Sequence, residues 1–200
     1  NDACDINYKH KCNDKDHDKY ENSGKDKDTC MFPKHPKPKK IFLECGCNQQ
    51  DAIFEIDDGR VEEHQTFVLS RVIVDTTCLF KPVVKIEFSS LVVFEAEDNH
   101  GNEHEIEVDL LFKLVRTCNN GVTEIVQSWR FKKEFEIEDN IDALEIEISE
   151  PFTVTFCDRT CPDCCEYKMI VEGKDFEGEF DALRVVKPDL SALAQGQCDE

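Results

Sequence analysis

The periodicity of this chain predicts an all-β fold: an eight-stranded antiparallel sandwich, with a jelly roll as the first expectation, behind a long extended N-terminal arm. Three observations lead there. From Ile41 onward, runs rich in Val, Ile and Phe alternate with polar residues between turn residues, and no segment keeps helical spacing for three turns. Turn signals of the Asp-Gly and Asn-Gly kind join those runs at Asp57-Asp58-Gly59 and Asn119-Asn120-Gly121. The composition also breaks near Lys40, where a polar, lysine-rich stretch gives way to the periodic region.

The arm is taken as residues 1–47. It passes through alternating charge (Lys11, Asp14, Lys15, Asp16, Asp18, Lys19) and a proline-lysine hinge at residues 33–40, and it ends in Cys45-Gly46-Cys47. Pro33, Pro36 and Pro38 cannot donate to a sheet ladder and favour an extended, stiff segment. With few apolar anchors the arm cannot offset its ordering entropy alone, so a neighbouring subunit is expected to order it. Strand addition to an exposed sheet edge is the expected mode, with Ile6, Tyr8, Met31, Phe32, Ile41 and Leu43 as anchors and Ile41-Phe42-Leu43 as the best strand.

The body is taken as residues 48–186, followed by a tail at 187–200. Its first strand is expected at residues 52–56, closed by the Asp-Gly turn, its second at 61–74 and its third at 83–97. The turn Asp98-Asn99-His100-Gly101-Asn102 leads to 105–118, and the Asn-Gly turn delivers 122–137 with the single Trp129. Residues 144–148 are interrupted by Pro151 and resume at 152–156, which marks an edge strand or a bulge. Residues 167–172 and 176–186 complete the set. Glu134-Phe135-Glu136-Ile137-Glu138 and Leu144-Glu145-Ile146-Glu147-Ile148 alternate acid with apolar residue, so one face is buried and the other is a carboxylate surface. The ordinary role of such a surface is solubility and edge protection.

Charge narrows the partners. The net charge is −20; residues 1–40 hold ten Lys against eight Asp or Glu, which leaves 14 Lys or Arg against 36 Asp or Glu beyond them. A body so acidic argues against a nucleic-acid partner. A weakly basic arm and an acidic body attract one another, screened by salt within about a nanometre. No apolar run reaches the roughly 18 residues of a membrane span, and no signal-type apolar segment is present.

Twelve cysteines indicate disulfides in an oxidising place or metal ligation. Three precede residue 41 and nine follow; counting Cys45 and Cys47 with the arm makes five and seven. Both divisions are odd, so full oxidation needs a bond between arm and body, in the same or another subunit. Cys157, Cys161, Cys164 and Cys165 form the densest cluster, a disulfide site or, in the alternative, a zinc loop. The adjacent Cys164 and Cys165 point to opposite faces of an extended backbone, so one can bond within the domain while the other reaches a partner. A redox reading of Cys161-Pro162-Asp163-Cys164 lacks the helix N-terminus that would lower a thiol pKa. Cys45-Gly46-Cys47 sets two thiols on one side of a strand, with Gly46 allowing another backbone to approach; two ordinary intradomain disulfides are the equal alternative.

Asp14-Lys15-Asp16-His17-Asp18 resembles half of a calcium loop, but Lys19 and Lys25 stand where that loop needs Gly and Glu, which leaves a solvated spacer. Glu62-Glu63-His64, His100 and His104 sit at turns or strand faces without a nucleophile or phosphate loop. They read as surface histidines, and neither enzyme activity nor a cofactor is expected.

Phe42-Leu43-Glu44-Cys45-Gly46-Cys47, followed by Lys81-Pro82-Val83-Val84-Lys85-Ile86-Glu87-Phe88-Ser89-Ser90, resembles a family of proteins from clostridia and related spore-forming anaerobes whose label assigns no function. The likeness covers roughly residues 41–186. In plan, a cysteine-bearing connector before an eight-stranded jelly roll, the chain is also similar to the endospore appendage subunits of bacilli, whose connectors bond earlier subunits in a fibre. This arm is longer and lacks their Cys-Cys pair. The resemblance implies a self-assembling, head-to-tail structural subunit on an extracellular or spore surface. Cys4, Cys12, Cys30, Cys45 and Cys47 would cross-link from the arm to Cys157, Cys161, Cys164, Cys165 or Cys198 as acceptors. The alternative is a soluble or coat-associated protein whose thiols, imidazoles and Asp-rich arm hold zinc or calcium.

Overall fold

The computed structural model describes residues 39–62, 64–98, 104–119, 121–137 and 144–197. Cys4, Cys12, Cys30, Cys198 and the calcium-like stretch lie outside them, as do Glu63, His100 and the side chain of His104. Eight long strands build two sheets: β1 (Lys39–Cys45), β5 (Thr66–Asp75), β6 (Phe80–Asp98), β7 (His104–Cys118), β8 (Thr123–Ile137), β9 (Leu144–Arg159), β10 (Cys164–Glu177) and β11 (Glu179–Gln197). Between β1 and β5 come the short β2 (Ala52–Ile53), β3 (Ile56–Asp57) and β4 (Arg60–Val61).

One sheet runs β1-β11-β6-β9, with β2 also on β11; the other runs β5-β10-β7-β8. Every pairing is antiparallel. The first long strand thus lies beside the last and the second beside the next to last, which is the winding of a jelly roll. The alternation that predicted strands also fills the core. Val84, Ile86 and Phe88 of β6, beside Ala194, Ala192 and Leu190 of β11 in the same sheet, face Phe112 and Leu114 of β7 and Tyr167 and Met169 of β10, all buried. Phe112 stacks on Phe152 with ring centroids 3.9 Å apart.

The Asp58-Gly59 turn is a tight hairpin between β3 and β4, with φ of 49° and 77° at its two residues. Pro151 lies in β9, an edge strand, where its missing N–H costs no ladder bond on the open side. Three expectations need correcting. Ile41-Phe42-Leu43 is the middle of β1 and pairs with Leu193, Ala194 and Gln195 of its own body, so residues 39–47 are not arm. Residues 187–197 are not tail, because β11 passes through Lys187 and Pro188 as a bulge, with φ of 52° at Lys187 and a register shift from Val186 to Asp189. The strand expected at 61–74 breaks between β4 and β5, where the Gln65 side chain accepts from the Glu55 N–H at 2.9 Å and donates to its carbonyl at 3.1 Å.

Candidate functional site

Gly46 is the point where the chain crosses between the sheets. Its N–H donates to the Leu190 carbonyl of β11 at 2.6 Å, and the next residue, Cys47, exchanges hydrogen bonds with Arg71 of β5 at 2.7 and 3.2 Å. A Cβ at Gly46 would lie 2.4 Å from the Leu190 oxygen and 2.9 Å from Ser70 Oγ, so no other residue fits. The close approach expected of this glycine is real, and the approaching backbone is the protein's own. The two flanking thiols have different fates. Cys45 is exposed and free, whereas Cys47 is half-buried and disulfide-bonded, as is Cys78.

The cysteine cluster divides in the same way. Cys165 faces the core and bonds Cys118, its register partner on β7, across a sequence separation of 47. It is therefore removed from the set of acceptors, because its sulfur is already spent within the domain. Its neighbour Cys164 points the other way as a free, half-buried thiol. Burial, with Asp75 and Asp163 adding their charge, pushes the Cys164 pKa up, which makes it a poor nucleophile. Cys157 on β9 and Cys161 in the following loop are both exposed and free.

Cys157 is held outward by what its neighbour does inward. Asp158 is buried between the sheets, where it accepts from the Tyr167 hydroxyl at 2.9 Å and from the Arg116 guanidinium. Burial raises the Tyr167 pKa, and the Asp158 charge raises it further. Burial alone would lower that of Arg116, but hydrogen bonds to Glu124 and Asp158 outweigh it and keep the guanidinium charged. This ion-and-hydroxyl cluster pins the end of β9 to the opposite sheet. Cys157 then lies opposite Lys85 of β6, whose ammonium hydrogen-bonds Glu87 at 2.5 Å and faces the thiol.

The two outer faces of the sandwich differ. On the β5-β10-β7-β8 face the charges are interlocked: Glu166 with Arg71 and Lys168, Glu172 with Lys113 and Lys174, Asp109 with Arg130, and Lys132 between Glu107 and Glu134. The two lysine hydrogen bonds hold the Glu172 carboxyl below its ordinary pKa. At the far end of the body, acids oppose acids across strands: Glu97 with Glu145 and Glu179, Glu95 with Glu147, Glu105 with Glu136, and Glu107 with Glu134 and Glu177. Glu177 first, then burial and the other glutamates, raise the Glu105 pKa. This acidic end agrees with the carboxylate surface read from the alternating strands.

For metal, the donors do not favour zinc. Among the described residues, the one thiol-bearing group of three with ligand atoms within 4.8 Å of one another is Cys118, Asp163 and Cys165, and both of its sulfurs sit in the disulfide. No helix among the described residues is long and apolar enough to cross a membrane.

No protein of curated function matches the chain. Among solved structures it is similar to "Structure of infectious bursal disease virus Gx strain", with 10% identity and a TM-score of 0.38 over 80% of this chain and 32% of that one. It is also similar to "Structure of infectious bursal disease virus Gt strain", with 12% identity and a TM-score of 0.36 over 80% of this chain and 38% of that one. The chain thus spans about a third of the length of these proteins, and at such scores the likeness carries no functional argument. The family is shown by a match over residues 39–195, β1 to the end of β11 in all but the last two residues, and the chain accordingly belongs to the family described as Domain of unknown function (DUF4489).

Proposed function

We propose that this chain is the repeating structural subunit of a self-assembling, disulfide-cross-linked fibre on an extracellular or spore surface, with its N-terminal segment docking on and bonding neighbouring copies. The observation that carries the reading is the set of thiols left over by a closed jelly roll: Cys45, Cys157 and Cys161 are free and exposed on it. A free surface thiol is a liability unless it is used. The segment of residues 1–38 brings Cys4, Cys12 and Cys30, and Cys198 stands beyond β11, so partners for these thiols exist within the sequence. A segment that reaches forward onto the next body makes a head-to-tail contact, which generates a filament wherever the rotation does not close a ring.

The resemblance in plan to endospore appendage subunits supports the same reading, and it calls for neither catalysis nor nucleic acid. The metal-binding alternative draws less support, since two donors of the best thiol group are consumed by the Cys118–Cys165 bond. The test is removal of residues 1–38, a boundary that leaves β1 intact. The shortened chain is expected to stay folded and monomeric in a disulfide-containing buffer in which the full chain polymerises, as followed by sedimentation and negative-stain microscopy. Polymers of unchanged length from the shortened chain would overturn the proposal.

A further inference from the structure

We infer that the outer face of the β1-β11-β6-β9 sheet is the docking surface for residues 4–8 of a second copy, and that the partner's Cys4 bonds Cys157 there. This rests on the cross-linked-subunit reading and adds the place and the pair. The face is set apart by its chemistry. On the opposite face the exposed Ile73 and Ile125 stand apart on its two edge strands among interlocked charges, whereas this face gathers apolar side chains on neighbouring strands: Leu43 (67% exposed) and Ile41 (59%) on β1, Leu193 (36%) on β11 and Val83 (36%) on β6. The register sets one row across the sheet, in which Leu43 pairs with Leu193, Leu193 with Lys85, and Lys85 with Cys157, while Ile41 and Val83 flank Gln195 in the next row. Cys45 and Cys157, both free and exposed, stand at its two edges on β1 and β9.

The occupant follows from what the sequence offers outside the described residues. In Cys4-Asp5-Ile6-Asn7-Tyr8 the thiol and the two apolar side chains recur at every second position, so an extended chain puts all three on one side and the polar residues on the other. From Cys4, Ile6 and Tyr8 then lie about 7 and 13 Å along the chain. From β9, the strands β6, β11 and β1 lie about 5, 10 and 14 Å across the sheet. With the partner's Cys4 on Cys157, Ile6 falls between Lys85 and Leu193 and Tyr8 falls on Leu43. Charge agrees: Asp2, on the same side of the extended chain as Cys4, approaches the half of this face that carries Lys81, Lys85 and Arg159, on a body that is otherwise strongly acidic. Neither other thiol of the segment fits as well. Cys12 has His10 and Asp14 at the alternating positions, and Cys30 has only Phe32 before Pro33. The 30 residues from Lys9 to Pro38 span up to about 100 Å, enough to cross to another body.

The bond forms by thiol–disulfide exchange with a low-molecular-weight disulfide as oxidant. The Cys157 thiolate displaces one half of that disulfide and becomes a mixed disulfide; the partner's Cys4 thiolate then displaces the other half. One S–S bond is consumed and one remains, and the two protons lost by the protein thiols end on the two small thiols released.

The experiment mixes equal amounts of isotopically light and heavy full-length chains in a glutathione redox buffer and maps cross-linked peptides without reduction. The expected result is a Cys4–Cys157 peptide of mixed isotope. In the exposed double variant Leu43→Glu/Leu193→Glu, which keeps every thiol, that peptide should form about tenfold more slowly, as the loss of a small apolar contact predicts. Mixed-isotope bonds mapped only to Cys161, Cys164 or Cys198, or an unchanged rate in the double variant, would overturn the docking face and leave the subunit reading standing. A Cys4–Cys157 peptide found only in single-isotope form would overturn the inference, and the absence of every mixed-isotope bond would overturn the reading beneath it.

Discussion

Replacing the Cys118–Cys165 pair, as Cys118→Ser with Cys165→Ala, should destabilise the body far more than any change at the outward thiols. The bond closes a loop of 47 residues between two central strands of one sheet. Loop-closure entropy for that length amounts to about 4 kcal/mol at room temperature. Unfolding entropy near 2.1 cal/mol/K per residue, applied to the described strands and turns, converts this into a loss of roughly 12 °C in Tm. With a urea m-value of about 2 kcal/mol/M, it moves the midpoint down by about 2 M. The assay is urea unfolding of the chain from residue 39 onward, without reductant so that the bonds of Cys47 and Cys78 persist, read by tryptophan fluorescence of Trp129 and by circular dichroism. Cys157→Ser, whose thiol is exposed and unbonded, serves as the reference and should leave the midpoint where it was. A double variant within about 0.3 M of the parent midpoint would refute the reasoning, because a constraint of this loop length cannot vanish unless the strands are held by something else.

Two further outcomes follow from single positions. Gly46→Ala should cost about 1 to 3 kcal/mol in the same unfolding assay, since its Cβ would press on the Leu190 carbonyl that the Gly46 N–H itself binds. Glu105 has its pKa raised above the ordinary 4.5, chiefly by Glu177, so the folded state binds that proton more tightly than the unfolded state does. The charge therefore weakens the fold at neutral pH, and this penalty disappears as pH falls through the raised pKa. Glu105→Gln is expected to raise Tm at pH 7 and to converge on the parent at about pH 4, as measured by thermal melts across the interval.

Where local chemistry decides the outcome, the chain could be read directly. Asp58-Gly59 needs two positive φ values and names its own hairpin; Pro151 can sit only where a ladder donor is not required; Phe135, Ile146 and Ile148 turn inward while the glutamates between them face out. The parity of Cys164 and Cys165 likewise foretold one inward and one outward thiol. Long-range pairing was not legible. The partner of Cys165 is fixed by the register of β10 on β7, and the backbone that presses on Gly46 comes from residue 190, so neither leaves a mark nearby in the sequence.

The two misplaced boundaries share a cause. β1 has one inward apolar side chain, Phe42, between exposed residues, and it follows a run of prolines, so it reads as linker. In β11, the Lys187-Pro188 pair looks like a stop until the bulge that absorbs it is seen. Both elements are held by their neighbours in the sheet more than by their own pattern. Because β1 belongs to the body, Ile41 and Leu43 are exposed on the outer face of its own sheet, where the sequence had suggested a strand that is given away.

The central claim is that copies of this chain are joined covalently, and electrophoresis of the oxidised full-length protein in denaturant tests it most directly. Run without reductant, it should give a ladder at multiples of 23.1 kDa that collapses to the single step when thiol is added. A lone 23.1 kDa band in both lanes, from protein oxidised until no free thiol remains, would contradict it.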